Sequence, residues 1–231
     1  MIAKHRVAEV AALLADPSRA AMLGALQNGR AQPAGVLARA AGVSAATASV
    51  HLKKLAASGL IVGTKFGRHR YFRLAGHEVN DALEALARLT PPPRASAKAS
   101  SPEQRALCEA RLCYDHLAGA LGVAVTDALV KNRALISRGD DFSLTIGPRA
   151  RATFATLGID IGELGGGSRP LVLSCMDWTE RREHLAGALG AAVAMAALEQ
   201  HWVRRISGTR ALRVTGAGRR ALARLGVKRE F

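Results

Sequence analysis

The stretch Leu37-Ala38-Arg39-Ala40-Ala41-Gly42-Val43-Ser44-Ala45 constrains this chain most, because it reads as helix, tight glycine turn, helix. Upstream, Asp16 is a good N-cap and Pro17 suits a first helical position, which predicts a helix over 18–27 with Met22, Leu23 and Leu26 on one face. Asn28-Gly29 stops it. A second helix over 34–41 carries Val36 and Leu37 and ends at Gly42. Ser44 then caps a third helix over 45–57, with Val50, His51, Leu52 and Leu55 on it and Ser58-Gly59 closing it. The arrangement is a helix-turn-helix, whose second member suits a DNA groove.

The residues that follow add specificity. Leu60-Ile61-Val62 and Arg70-Tyr71-Phe72-Arg73-Leu74 read as short strands around the basic, glycine-containing Gly63-Thr64-Lys65-Phe66-Gly67-Arg68-His69. A basic hairpin directly after a recognition helix is what a wing lying on phosphates requires. At the front of that helix Ser44, Ala45, Ala46, Thr47, Ser49 and Val50 are small enough for close approach to base edges, and Thr47 and Ser49 can donate or accept there. His51, Lys53 and Lys54 are candidates for phosphate or base contacts, and Lys65, Arg68, His69 and Arg70 for the wing.

Residues from about 8 to 90 resemble the ArsR/SmtB-type winged-helix repressors. The resemblance rests on Leu14 to Arg19, Val43 to Leu55, Ala57-Ser58-Gly59-Leu60-Ile61, and the segment from Gly67-Arg68 to Tyr71-Phe72-Arg73-Leu74. It implies a homodimer on double-stranded DNA, with outer helices over 2–14 and 79–89 at the two-fold interface. The match spans the first part of the chain, and the rest is additional to the minimal family fold.

Charge agrees with a polyanionic partner. The 231 residues carry 33 Lys+Arg against 18 Asp+Glu, a formal +15, and neutralising phosphates releases counterions. A generally basic surface would give the same number, and the excess lies on both sides of residue 90, so charge does not choose between the halves. Three cysteines, Cys108, Cys113 and Cys175, make no disulfide framework and point to a reducing compartment. With no secretory leader and no apolar run of spanning length, the expectation is a cytoplasmic chain with no membrane contact.

Residues 91–102, Pro-Pro-Pro-Arg-Ala-Ser-Ala-Lys-Ala-Ser-Ser-Pro, read as a solvated linker between a DNA-binding and dimerisation domain (1–90) and a C-terminal domain (103–231). The latter contains a repeat. His-Leu-Ala-Gly-Ala-Leu-Gly begins at His116 and again at His184, and Leu157-Gly158 and Leu225-Gly226 keep the same offset. Each copy, about 113–160 and 181–228, reads as helix, short basic turn, apolar strand ending in Thr, Gly, then helix. The elements are 123–129, Arg138-Gly139, 142–145, Gly147 and 150–157 in one copy. In the other they are 191–198, Gly208, 212–215, Gly218 and 219–225. The fold class expected is mainly α with small β-hairpins (α+β): a winged helix-turn-helix plus a helical C-terminal domain of two similar helix–hairpin–helix units.

That domain holds the candidate sensor residues. Cys113, Asp115 and His116 open one copy, and Cys175 and Asp177 precede His184 in the other. Thiolate, imidazole and carboxylate together suit a transition metal ion, and Cys108, Cys113 and Cys175 suit a metalloid or a thiol switch. Equally, these cysteines fit a core, with Asp115 and Asp177 capping the helices that follow. Arg181 and Arg182 can meet an anionic effector or pair with acids, and 162–168 is a glycine-rich connector. The basic segments 201–205 and 210–214 form a candidate hairpin, either a further phosphate contact or a solvated face. No dinucleotide fingerprint, Walker loop, HExxH or Gly-x-Ser-x-Gly occurs in the second half, so no enzyme is expected. The function expected is transcriptional regulation, as a repressor tuned by a metal, metalloid, oxidant or small molecule. An architectural DNA-binding protein without effector is the rival.

Overall fold

A computed structural model of the protein describes residues 2–89, 101–138, 143–166 and 169–231. The proline-rich stretch 91–100 and Gly139, Phe142, Gly167 and Ser168 lie outside the described residues. The chain divides into two compact units, Met1–Leu83 and Glu84–Phe231. Among the described residues no helix is long and apolar enough to cross a membrane.

The first unit opens with α1 (Ile2–Leu14) and α2 (Pro17–Leu26). Asp16 caps α2, its Oδ1 accepting from the Arg19 amide at 3.0 Å. Strand β1 (Gln32–Pro33), α3 (Ala34–Ala40) and α4 (Ala45–Ala57) follow, then β2 (Ile61–Phe66), β3 (His69–Leu74) and α5 (His77–Leu89), within which the division of the chain falls. The sheet order is β1-β3-β2, all antiparallel. Met22, Leu23, Leu26, Leu37, Leu52, Leu55, Ile61, Phe72 and Leu74 are buried, so α2, α3, α4 and the hairpin share one core. Between α3 and α4 the chain turns on Gly42, at φ +64°, a left-handed geometry that glycine adopts without a Cβ clash. The wing is longer and its tip tighter than the sequence suggests. Pairing continues to Phe66↔His69, leaving Gly67-Arg68 as the turn, because Gly63 packs against the Phe72 ring instead of opening a loop.

Beyond the end of α5, the second unit continues with α6 (Pro102–Glu109), closed at its start by a capping box of Ser101 and Gln104. Then come the hairpin β4 (Arg111–Cys113) and β5 (His116–Ala118), α7 (Gly119–Lys131), the hairpin β6 (Leu135–Ser137) and β7 (Leu144–Ile146), and α8 (Ala150–Ala155). A short helix α9 (Ile161–Leu164) lies in what the sequence reads as a bare connector, with Asp160 capping it through the Gly162 amide at 2.8 Å. Hairpin β8 (Leu173–Met176) and β9 (Glu183–Ala186), α10 (Gly187–Glu199), hairpin β10 (Val203–Arg205) and β11 (Leu212–Val214), and α11 (Gly216–Leu225) complete the unit.

The hairpins β4–β5 and β8–β9 are absent from the helix–hairpin–helix reading of the sequence. The residues His-Leu-Ala end a strand, and the helix starts only at the glycine that follows, Gly119 or Gly187. Burial explains the motif. Leu121 and Leu189 lie in a core shared by Leu112, Leu117, Phe154, Leu185, Val193 and Leu222. A Cβ on Gly122 would stand 2.4 Å from the Leu117 carbonyl oxygen, and one on Gly190 2.6 Å from that of Leu185. Only glycine lets each helix fold back this tightly on the strand before it.

Candidate nucleic-acid interface and a buried thiol–imidazole cluster

In the first unit the chemistry faces solvent. Helix α4 turns Ala48, Leu52 and Leu55 inward, at the 3–4-residue spacing of one helical face. The opposite side leaves Ser44, Ala45, Ala46, Thr47, Ser49, Val50, Lys53 and Lys54 exposed. Ser44 accepts from the Thr47 amide at 3.1 Å, and the two hydroxyls lie 2.9 Å apart, so the helix start is fixed while Thr47 stays accessible. His51 is half-buried and less available than its neighbours. Lys65, Arg68, His69 and Arg70 are exposed on the wing, where Phe66 also stands 77% exposed with its ring edge-on to Tyr71. The helix front is small and uncharged, and the flanking positions are cationic. A groove reader with phosphate anchors has that distribution.

In the second unit the chemistry is inside. Cys113 and His116 are cross-strand partners in β4–β5, and Cys175 and His184 are partners in β8–β9. Directly opposed residues share a face of the hairpin, and the two faces meet. One ligand atom from each of Cys113, His116, Cys175 and His184 lies within 4.8 Å of every other. The two sulfurs are 4.0 Å apart, and the two imidazole centroids 5.1 Å. His184 is completely buried and His116 nearly so.

The hydrogen bonding around the rings is incomplete. His116 Nδ1 lies 3.2 Å from Asp115 Oδ1, while its Nε2 and both ring nitrogens of His184 are buried without a hydrogen-bond partner. Burial opposes charge on His116, yet Cys113 and Asp115 raise its pKa to about 9. Burial, reinforced by the charge of His116, pushes His184 well below the usual histidine range. The Cys113 thiol is pushed well up by its contact with Cys175 and by burial.

Two carboxylates expected among the ligands lie outside this group. Asp115 is occupied by Arg169, whose Nη2 donates to Oδ1 at 3.1 Å while Nη1 reaches Oδ2. Burial opposes its ionisation, and hydrogen bonds from His116 and Arg169 nonetheless lower its pKa to about 2. Asp177 accepts from Arg111 Nη2 at 2.8 Å, from the Gly119 amide at 2.7 Å, and from Thr179 Oγ1 at 2.6 Å. Arg111 overcomes the burial that opposes its charge. Neither acid caps the helix after it in sequence, since α7 and α10 have no side-chain cap. Asp177 instead meets the first amide of α7, far from it along the chain. Cys108 lies outside the four-residue cluster, half-buried, so the three thiols do not form one site.

Arg111 is the residue that sequence reasoning missed. Fully buried, it pairs with Asp177 and lies 5.0 Å from the centroid of the Trp178 ring. A single Arg beside an apolar strand carries no sequence signal of burial. Arg182 takes the acid-pairing option, meeting Asp127 at 2.7 and 2.9 Å.

A helix-turn-helix with an outward reading face and a cationic hairpin defines a DNA-binding transcriptional regulator. The helix-turn-helix domain family matches residues 14–64. Over 223 residues the chain is 39% identical to the HTH-type transcriptional regulator YdfF of Bacillus subtilis (strain 168), covering 96% of this chain and 98% of that protein. The chain belongs to the HTH-type transcriptional regulators. Among solved structures it resembles the homodimeric winged helix-turn-helix domain of Mb0332 from Mycobacterium bovis, a possible ArsR-family regulator. Identity there is 31%, with 38% of this chain and 80% of that one covered and a TM-score of 0.34. The cadmium sensor CMTR of Mycobacterium tuberculosis is 32% identical, with 39% and 98% covered and a TM-score of 0.29.

Proposed function

We propose that this regulator is a homodimeric repressor that occludes its operator, and that a ligand held in the second unit sets its affinity for DNA. The exposed face of α4 carries the reading: Ala45, Ala46, Thr47, Ser49 and Val50 at base edges, Lys53 and Lys54 on phosphates, and the wing cations Lys65, Arg68, His69 and Arg70 beside them. Dimerisation is supported by the apolar side chains that the outer helices leave uncovered, Val7 on α1 and Leu86 and Leu89 on α5. A ligand alters operator affinity only by binding differently to the DNA-competent and incompetent states.

The second unit is read as a fused pair of related halves, each hairpin, helix, hairpin, helix. Supporting this, β5 packs on α10 and β9 on α7, so each half supplies the hairpin that covers the other's helix. The 4.0 Å approach of Cys113 to Cys175 joins equivalent strands.

Operator titrations at several salt concentrations test the DNA assignment. Lys53→Ala with Lys54→Ala is expected to weaken binding and to flatten the logarithmic salt slope by about 0.9 for each phosphate contact removed. An unchanged slope with unchanged affinity places those lysines off the DNA.

A further inference from the structure

We propose that Cys113, His116, Cys175 and His184 form a closed, tetrahedral site for one divalent d-block cation, Zn²⁺ in the first instance. The site stands on the geometry of the second unit alone and does not depend on where the protein touches DNA.

Four observations converge on it. The donor set is two sulfurs and two imidazoles, the composition that tetrahedral zinc takes in structural sites. The separation fits as well. Zn–S bonds of about 2.3 Å place two thiolates of a tetrahedron roughly 3.8 Å apart, against the 4.0 Å observed. A disulfide needs about 2.05 Å and would require the two hairpins to move together. Next, three buried ring nitrogens, one on His116 and two on His184, have no hydrogen-bond partner. Leaving such a group unsatisfied costs on the order of 1–3 kcal/mol, and a cation at the centre accepts a lone pair from each ring. Finally, Asp115 lies against Nδ1 of His116, which orients that ring with Nε2 free to ligate, as carboxylates behind metal-bound histidines do.

Charge balance favours the loaded state. Binding releases to solvent the two thiol protons and any proton held on Nε2 of His116. It leaves two thiolates, two neutral imidazoles and a dication, a neutral assembly suited to burial. The spacing is also unusual. Cys113 and His116 flank a two-residue turn, whereas Cys175 and His184 flank a longer loop, so no single compact metal motif appears in the sequence. The ion would tie β4–β5 to β8–β9.

The test uses the full-length chain purified anaerobically with thiols reduced. Elemental analysis should find one zinc per chain. After chelation, Co²⁺ titration should give the intense visible bands of a tetrahedral ion together with thiolate-to-cobalt charge transfer, saturating at one equivalent. Cys175→Ser and His184→Ala should lose the stoichiometric ion, and Cys108→Ser should keep it. The wild-type spectrum needs no substitution and remains decisive where a variant misfolds. A wild-type chain with no stoichiometric zinc and only the weak spectrum of octahedral Co²⁺ overturns the proposal. So does loss of the ion in Cys108→Ser equal to that in Cys175→Ser. A Cys113–Cys175 disulfide in metal-exposed protein that carries no ion overturns it too, and assigns the pair to thiol redox chemistry. Because none of these readouts involves DNA, failure here leaves the operator-binding assignment standing.

Discussion

The recognition helix and the thiol–imidazole cluster are built in opposite ways. Along α4 the residues proposed to read DNA lie close together in sequence, are mostly exposed and are held by local devices: a serine cap at its start, a buried Ala48-Leu52-Leu55 stripe beneath, and a glycine just beyond its end. The cluster draws its four side chains from two hairpins more than sixty residues apart, keeps three of them buried, and relies on pairing that no local pattern encodes. Removing an exposed contact costs binding, whereas disturbing a buried one costs stability first.

The largest contrast should appear at Arg111→Ala. Asp177 would remain fully buried with its charge uncompensated, and losing one partner of such a pair costs about 3–5 kcal/mol. Denaturant titration of the full chain measures this, and a change below about 1 kcal/mol would show that the pair is not desolvated. Gly190→Ala comes next. Its Cβ would meet the Leu185 carbonyl at 2.6 Å and approach the His116 side chain, so a loss of about 1–3 kcal/mol is expected, together with weakened cobalt uptake. Normal uptake would uncouple helix packing from the cluster.

Asp115→Asn sharpens the comparison inside the second unit. As a positioning residue it should leave zinc stoichiometry intact while lowering affinity about 10–100-fold, read by competition with a chromophoric chelator. Unchanged affinity would show that Asp115 does not position His116 for the ion. The smallest effect belongs to the first unit. Ser44→Ala deletes the cap on α4 and should cost about 1 kcal/mol of stability, with DNA binding weakened through fraying of the helix front. DNA affinity falling with no change in stability would instead make Ser44 a direct contact.

The same contrast explains what was legible in the sequence. The limits of α2, α3 and α4 follow from Asp16, Gly42, Ser44 and Gly59, residues whose capping and turn chemistry acts over a few positions. The wing's existence is readable in the sequence, but the extent of its tip is not, because the packing of Gly63 on Phe72 is a cross-strand matter. In the second unit, strands of three or four residues such as Arg111–Cys113 and Glu183–Ala186 are too short to show alternation, and the Ala/Gly/Leu run after them reads as helix throughout. The cysteines and histidines stood out by residue type. Asp115 and Asp177 stood out for the same reason, and only the positions of Arg169 and Arg111 show that those acids are taken.

We propose a division of labour, in which an ion held by the cluster of the second unit sets the DNA affinity of the exposed helix in the first. Titrating one operator fragment, at fixed salt, with the zinc-loaded and the chelated, reduced chain tests it most directly. A coupled pair predicts affinities that differ about 5–150-fold. Superimposable curves from two preparations whose zinc content has been verified to differ would contradict that coupling.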